Sequence, residues 1–195
     1  MKITTADFVK SATKPSEYPP GNLPEVAFAG KSNVGKSSLI NTLVNRKGLA
    51  KTSASPGRTQ LINFFQVNGK LSFVDLPGYG FAKVPMEVRQ KWKPMVESYL
   101  QTRKEIRLVV IILDGRRGPS ADDLALLDWL DYHKIRSLII LTKADKLNQL
   151  ERARQKKAIA ESDLLAGRSY LFFSAVTGEG KDEIWRAINE SLRPV

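Results

Sequence analysis

The chain has 195 residues and a formal net charge of +11 at pH 7, with 42% hydrophobic and 26% charged residues. This balance predicts one globular domain with a sizeable core, and no apolar run reaches the roughly 18 residues that cross a bilayer. The absence of cysteine excludes disulfides, thiolate metal sites, a cysteine nucleophile and a prenyl or palmitoyl anchor. The surplus of Lys and Arg favours a polyanionic partner, although a well-solvated surface has the same composition.

The first half of the chain predicts strands, a helix and a hairpin. Residues 3–9 alternate in polarity and predict an edge element that leads into a surface loop. An apolar run over 25–29 predicts a buried strand, and helical spacing follows over 38–44. Two apolar runs within 61–75 flank Asn68-Gly69, a dipeptide that suits a type I′ turn between antiparallel strands.

The second half alternates between helical and buried-strand patterns. We expect Pro94 inside one helix and Ser120 as the cap of the next. The predicted helices are 87–102, 121–132, 149–162 and 182–192, and the predicted strands are 107–114, 137–142 and 169–173. This alternation predicts an α/β three-layer sandwich with helices on both faces of a six-stranded, mainly parallel sheet. The hairpin supplies one antiparallel strand and the only antiparallel pair. We expect residues 1–22 to be an extension packed on a domain of residues 23–195.

One segment matches the phosphate-binding pattern G-x-x-x-x-G-K-[ST] and lies between a predicted strand and a predicted helix. Its glycines allow successive N–H groups and the helix N-terminus to point at one anion. Lys36 would reach the β- and γ-phosphates, and the Ser37 hydroxyl would bind Mg²⁺. The alternative is a glycine-rich turn that binds nothing. The residues expected at the nucleotide are Gly30, Lys31, Ser32, Asn33, Val34, Gly35, Lys36, Ser37 and Ser38.

Two further candidates would act on the phosphates and Mg²⁺, because ligands of such sheets lie at the carboxyl ends of the strands. Asp75 ends the hairpin and could hold Mg²⁺ through water, and the Gly78 N–H could contact the γ-phosphate. Asp-x-Pro-Gly is also a common plain turn. Thr59 lies in the long loop before the hairpin, where its hydroxyl could join the Mg²⁺ shell.

The last two candidates would recognise a base. Asp145 follows the strand that ends at Thr142, and its carboxylate can accept hydrogen bonds from the N1–H and 2-amino groups of guanine. Adenine offers neither donor, so the same carboxylate would reject it. Lys143 can lay its stem over the base. After the last strand come Ser174 and Ala175, and the Ala175 N–H could reach the guanine O6.

These five pieces, in this order, resemble the translation-factor-class GTPases. The segments 30–38, 55–60, 75–80 and 142–145 resemble the EngB (YihA/YsxC) family of bacterial ribosome-assembly GTPases, over nearly the whole chain. The resemblance implies a P-loop GTPase fold, hydrolysis of GTP to GDP with Mg²⁺, and action on the large ribosomal subunit and its rRNA. It also implies a role in cell division and septation through ribosome supply. It places Gly57 at the nucleotide, and Lys36, Thr59 and Gly78 in hydrolysis. We expect a cytoplasmic monomer without membrane or DNA partners.

The chain departs from related GTPases at several positions. Tyr79 stands where Ras-like proteins have the glutamine that orients water, so slow intrinsic hydrolysis is expected, with positioning by loop ordering and the partner. Thr142 replaces an asparagine, which predicts the loss of an amide bond to the base or the phosphate loop. Asn33 resembles a residue that binds K⁺ in some relatives. Arg58 is either a cis arginine finger or a residue facing solvent or RNA.

Basic clusters and two loop aromatics predict a surface for structured RNA. Tyr79 and Phe81 are the aromatics, and the α-helical cluster that begins at Arg152 could equally be a solvated face. The cations are Lys83, Arg89, Lys91, Lys93, Arg103, Lys104, Arg107, Arg116, Arg117, Arg152, Arg154, Lys156 and Lys157. An alternative function is an RNA- or protein-binding module that holds guanine nucleotide without significant turnover.

Overall fold

The computed structural model describes residues 2–51, 61–79, 86–161 and 167–193. Several residues named above lie outside these ranges, namely Gly57, Arg58, Thr59, Phe81 and Lys83. The strands are β1 (Ala6–Ala12), β2 (Glu25–Gly30), β3 (Ile62–Val67), β4 (Leu71–Asp75), β5 (Ile106–Asp114), β6 (Ser137–Thr142) and β7 (Tyr170–Phe172). The α-helices are α1 (Lys36–Leu43), α2 (Met86–Thr102), α3 (Ala121–Tyr132), α4 (Gln149–Glu161) and α5 (Lys181–Ser191).

The strands form one sheet in the order β1-β3-β4-β2-β5-β6-β7. The pairs β2·β4, β2·β5, β5·β6 and β6·β7 are parallel, whereas β3 is antiparallel to both of its neighbours. Each parallel connection crosses over through a helix, which brings the carboxyl ends of β2, β4, β5, β6 and β7 to the same edge. The predicted α/β sandwich with one antiparallel strand is confirmed.

The sheet is covered on both faces, as the near-continuous apolar strands require. Leu39 and Leu43 of α1 and Ile184 and Trp185 of α5 pack on one face. The other face is covered by α2, α3 and α4, with Tyr99 of α2 fully buried there. The Trp185 indole donates a hydrogen bond to the Leu43 carbonyl at 3.1 Å, which joins the two helices of the first layer.

The sheet has seven strands within the described ranges, one more than predicted, because β1 adds to its edge. β1 pairs antiparallel with β3, so the hairpin is not the only antiparallel pair. The Asn68 side chain accepts hydrogen bonds from the Thr4 and Thr5 N–H groups at 2.7 and 3.1 Å. These contacts tie the N-terminal segment to the predicted turn, whose residues Asn68 and Gly69 have φ of 52° and 64°, as a type I′ turn demands.

Five α-helices lie within the described ranges. None of them combines the length and the apolar composition that a membrane-crossing helix needs.

Candidate nucleotide-binding site

The phosphate-binding loop connects β2 to α1. β2 ends at Gly30, where an added Cβ would lie 2.7 Å from the Ile112 carbonyl oxygen, so neighbouring backbone leaves no room for a side chain. Asn33 and Gly35 have φ of 61° and 109°, and α1 begins at Lys36. Two positive φ values within three residues turn the chain tightly, and glycine adopts such values at low cost. The loop therefore ends in a helix N-terminus, as an anion site requires.

Lys36 and Asp75 form an ion pair across the site. Lys36 is the first residue of α1 and Asp75 is the last residue of β4, which pairs with β2 next to it. Their side chains are only 12% and 8% exposed, so the two charges face each other in a mostly buried position. The structure thus brings together the two residues that the sequence assigned to the phosphates and to Mg²⁺.

The segment after β4 is fastened to the phosphate loop by its backbone. The Ser32 N–H donates to the Tyr79 carbonyl at 3.0 Å, and Lys31 and Tyr79 form an isolated parallel bridge. A Cβ on Gly78 would lie 3.0 Å from the Ser32 hydroxyl oxygen and 3.3 Å from the Ser32 nitrogen. The close approach of Gly78 places its peptide beside the phosphate loop, where sequence reasoning expected it.

Tyr79 is buried, so its prediction as part of a surface for structured RNA is wrong. The Tyr79 ring is 6% exposed, and its hydroxyl donates to the Asp123 carboxylate at 2.6 Å. Burial, together with the Asp123 charge, raises the pKa of Tyr79 well above its ordinary value. Asp123 also accepts from the Ser120 N–H and hydroxyl at 2.8 and 2.6 Å, as part of the capping box of α3. Tyr79 therefore links the phosphate loop to the first turn of α3.

Thr142 contacts the phosphate loop through its hydroxyl, although it lacks the side-chain amide whose bond was predicted to be lost. Its hydroxyl lies 2.6 Å from the Val34 carbonyl and 3.0 Å from the Leu113 carbonyl, and it is buried between them. A hydroxyl has one proton, and the shorter distance favours donation to Val34. The end of β6 is thus fixed to the phosphate loop without an asparagine.

Asp114 is a site residue that sequence reasoning missed. Lys143 donates to the Asn33 carbonyl at 3.0 Å and pairs with Asp114 at 2.9 Å, while Arg116 forms a bidentate contact with the same carboxylate. Burial alone would raise the pKa of Asp114, but hydrogen bonds from Arg116 and Lys143 hold it well below its usual range. The position of Asp114 at the carboxyl end of β5 was the available signal. Arg116 is engaged here rather than free for a partner.

Asp145 and Ser174 meet at the far end of the same sheet edge. The buried Ser174 hydroxyl donates to the Asp145 carboxylate at 2.7 Å and accepts from the N–H groups of Val176 and Thr177 at 3.1 and 3.2 Å. The hydrogen bond from Ser174 lowers the pKa of Asp145, with a smaller contribution from Lys146. Ala175 is exposed directly after Ser174. The two segments predicted to recognise a base therefore form one surface.

The side-chain oxygens of Ser37 and Asp75 suit Mg²⁺, the metal ion that the fold class implies. Within the described residues no group of three or more His, Cys, Asp and Glu side chains could hold a metal ion by itself. Mg²⁺ does not need such a group, because it commonly takes one or two protein oxygens, substrate phosphates and water. The Ser37 hydroxyl, on the first turn of α1, has only a long 3.4 Å contact to the Lys51 carbonyl, and Asp75 stands nearby on β4. Ser38 is exposed on the same turn.

Comparisons with known proteins agree with this arrangement. The family model described as 50S ribosome-binding GTPase matches residues 25–143. A probable GTP-binding protein EngB from Syntrophus aciditrophicus is 60% identical over 191 residues, covering 98% of this chain and 97% of its own. One from Geobacter metallireducens is 56% identical over 192 residues, covering 98% and 94%. A crystal structure of a probable GTP-binding protein EngB matches with a TM-score of 0.71 and 25% identity, covering 86% of this chain and 97% of the other. The chain belongs to the EngB family of GTP-binding proteins, in the P-loop GTPase class.

Proposed function

We propose that this GTPase is a nucleotide-switched factor in the assembly of the large ribosomal subunit, and that it supports cell division and septation through ribosome supply. Its substrate is GTP with Mg²⁺, and it acts as a monomer in the cytoplasm. The observation that carries the nucleotide part is the single sheet edge on which Lys36 and Asp75 lie at one end and Asp145 and Ser174 at the other. One edge therefore offers groups for both phosphates and a base.

The phosphate end supplies charge and donors. Bound nucleotide would exchange the Lys36–Asp75 ion pair for a contact from Lys36 to the β- and γ-phosphates, and would leave the Asp75 carboxylate to hydrated Mg²⁺. Mg²⁺, held by the Ser37 hydroxyl and through water by Asp75, would supply positive charge beside the phosphates. The Gly78 N–H is proposed to donate to the γ-phosphate, and Thr59 is proposed to complete the Mg²⁺ shell. Because Lys36 would exchange Asp75 for phosphate and Asp75 would exchange Lys36 for hydrated Mg²⁺, both buried charges would stay compensated.

The base end supplies specificity. The Asp145 carboxylate is proposed to accept from guanine N1–H and the 2-amino group, and the Ala175 N–H to donate to O6. Because the Ser174 hydroxyl bonds to one carboxylate oxygen, it fixes the orientation of Asp145 before the base arrives. The hydrogen bond and ion pair of Lys143 hold its ammonium at the phosphate loop, with its stem available to cover the base.

The water that attacks GTP is not oriented by Tyr79, whose hydroxyl is bonded to Asp123. This engagement supports slow intrinsic turnover with stimulation by the partner, since phosphoryl transfer depends on positioning and charge stabilisation. K⁺ held by Asn33 is proposed as a source of positive charge. Equal turnover in potassium and sodium buffers would remove that part of the proposal.

The ribosomal partner is supported by the family model's description and by the distribution of unpaired cations. Arg103 is not available to a partner, because it pairs with the buried Glu25 at 2.7 Å. Four exposed cations lie at the amino ends of β5 and β6, opposite the nucleotide edge, and none has an ion pair among the described residues: Lys104, Arg107, Lys134 and Arg136. Such a cluster suits the phosphates of structured RNA. Arg117 and Arg154 are further exposed cations, whereas the exposed Lys93 pairs with Glu97 at 3.7 Å.

Stimulated hydrolysis separates this proposal from a binding module without turnover. GTP turnover is measured alone and with purified large or small ribosomal subunits, at several salt concentrations, and the Lys36→Ala variant serves as the inactive control. The proposal predicts slow turnover alone and a clear increase with large subunits only. Turnover that stays at the level of Lys36→Ala under every condition would instead support the binding module.

A further inference from the structure

Arg152 lies on the first turns of α4, directly after the segment that carries Asp145. Sequence reasoning placed Arg152 in a basic cluster that faces RNA or solvent, but its guanidinium is bonded to groups of the protein. It donates to the Ala144 carbonyl at 2.7 Å and forms a bidentate pair with the Glu179 carboxylate at 2.6 and 2.9 Å. Its carbon Cζ also lies 5.9 Å from the centre of the Phe172 ring. One side chain thus contacts two separate loops and the strand between them.

Both ends of this contact lie next to the base-recognition groups. Ala144 directly precedes Asp145, and its N–H donates to the Phe173 carbonyl at 3.1 Å. Glu179 closes the other loop, because its carbonyl accepts from the Ser174 N–H at 3.1 Å. The Arg152 guanidinium therefore bonds to the residue before Asp145 on one side, and on the other to Glu179, whose carbonyl accepts from Ser174.

We propose that Arg152, through Glu179, is a positioning residue for guanine recognition, because it holds the Asp145 loop and the Ser174 loop in one fixed relation. The planar guanidinium suits this role, since it binds a carboxylate with two parallel bonds and keeps a further N–H for a carbonyl. Two hydrogen bonds to one base edge and a third to O6 require the loops to keep their spacing within a fraction of an ångström. The proposal rests on the assignment of Asp145 and Ala175 to guanine made above.

The neighbouring Arg154 is a matched control on the same helix. It is exposed, and it has no hydrogen bond or ion pair with any residue that the structure describes. Arg154→Gln therefore removes the same charge from α4 without touching either loop. Arg152→Lys keeps the positive charge but loses the planar guanidinium that makes two parallel bonds. Glu179→Gln removes the negative charge of the Arg152–Glu179 pair.

The experiment measures the dissociation constants of GDP and of inosine diphosphate, which lacks the 2-amino group, for each folded variant, and kcat and KM for GTP. We expect Arg152→Gln and Glu179→Gln to weaken GDP binding about tenfold and to reduce the preference for GDP over inosine diphosphate. We expect kcat at saturating GTP to stay within about twofold and Arg152→Lys to recover part of the loss. A purely structural role would lower stability without changing the base preference.

The proposal is overturned if Arg152→Gln and Glu179→Gln both show the affinities and the base preference of Arg154→Gln. An Asp145→Asn variant in the same assay separates this result from a failure of the guanine assignment. If Asp145→Asn loses its preference for guanine while Arg152→Gln keeps it, only the positioning role fails. If Asp145→Asn keeps the preference, the assignment itself fails, and the positioning role fails with it.

Discussion

Replacing Tyr79 by phenylalanine removes one hydrogen bond and leaves the ring in place. The lost partner is the Asp123 carboxylate, 4% exposed, which keeps its two donors from Ser120. A hydrogen bond to a charged group contributes about 1.5–3 kcal/mol, and a buried acceptor cannot recover it fully from water. We therefore expect Tyr79→Phe to lower the free energy of unfolding by about 2 kcal/mol. In a chain of this size that corresponds to a Tm lower by about 4–8 °C.

Urea and thermal unfolding, followed by circular dichroism, measure this loss. Tyr132→Phe is the control, because Tyr132 is 82% exposed and its hydroxyl should contribute less than about 0.5 kcal/mol. Intrinsic GTP turnover of Tyr79→Phe should stay within about threefold of the parent, since the hydroxyl points to Asp123 and not to the attacking water. Equal stability of the two variants, or a large loss of turnover in folded Tyr79→Phe, would refute the assigned role of Tyr79.

Three further predictions concern the site. In competition binding, Asp145→Asn should prefer xanthine nucleotides to guanine nucleotides, because the 2-oxo group of xanthine can accept a hydrogen bond from the asparagine amide. Retained guanine preference would contradict the assignment of Asp145. Thr142→Val should weaken GDP binding severalfold and cost about 1–3 kcal/mol in urea unfolding, since the Val34 carbonyl loses its buried donor; an unchanged variant would show that this bond is unimportant. Because the pKa of Asp114 is lower in the folded than in the unfolded chain, its ionised carboxylate stabilises the folded state at neutral pH, and this contribution is lost as pH falls below about 4. Asp114→Asn should therefore lose less stability than the parent between about pH 5 and pH 3. Identical pH profiles would contradict this.

The regular elements were predictable because local sequence determines them. The strand 137–142 and the helix 121–132 have the predicted bounds, since a continuous apolar run defines the first and the Ser120 capping box begins the second. The start of β1 was less predictable. It depends on pairing with β3 and on the Asn68 side chain, which is 64 and 63 residues from its partners Thr4 and Thr5. Such long-range contacts have no local signal in the sequence.

The site was predictable in its motifs but not in its supporting contacts. The phosphate loop, Asp75 and Asp145 follow strand ends, and a parallel sheet brings these ends together. The contacts of Tyr79, Thr142 and Arg152 were not predicted, because their partners are distant in sequence or lie on another loop. Composition and spacing identify a charge or a hydroxyl, whereas only the packed structure shows the group to which it bonds.

Nucleotide-dependent binding to ribosomal subunits tests the central proposal most directly. Co-sedimentation with purified small and large subunits would be measured with GDP or a non-hydrolysable GTP analogue over a range of salt concentrations, because salt reports the contribution of charge. The account predicts preference for the large subunit that strengthens with the GTP analogue and persists as salt rises. Equal, steeply salt-sensitive binding to both subunits with either nucleotide would contradict it, and would show that the net charge of +11 acts nonspecifically.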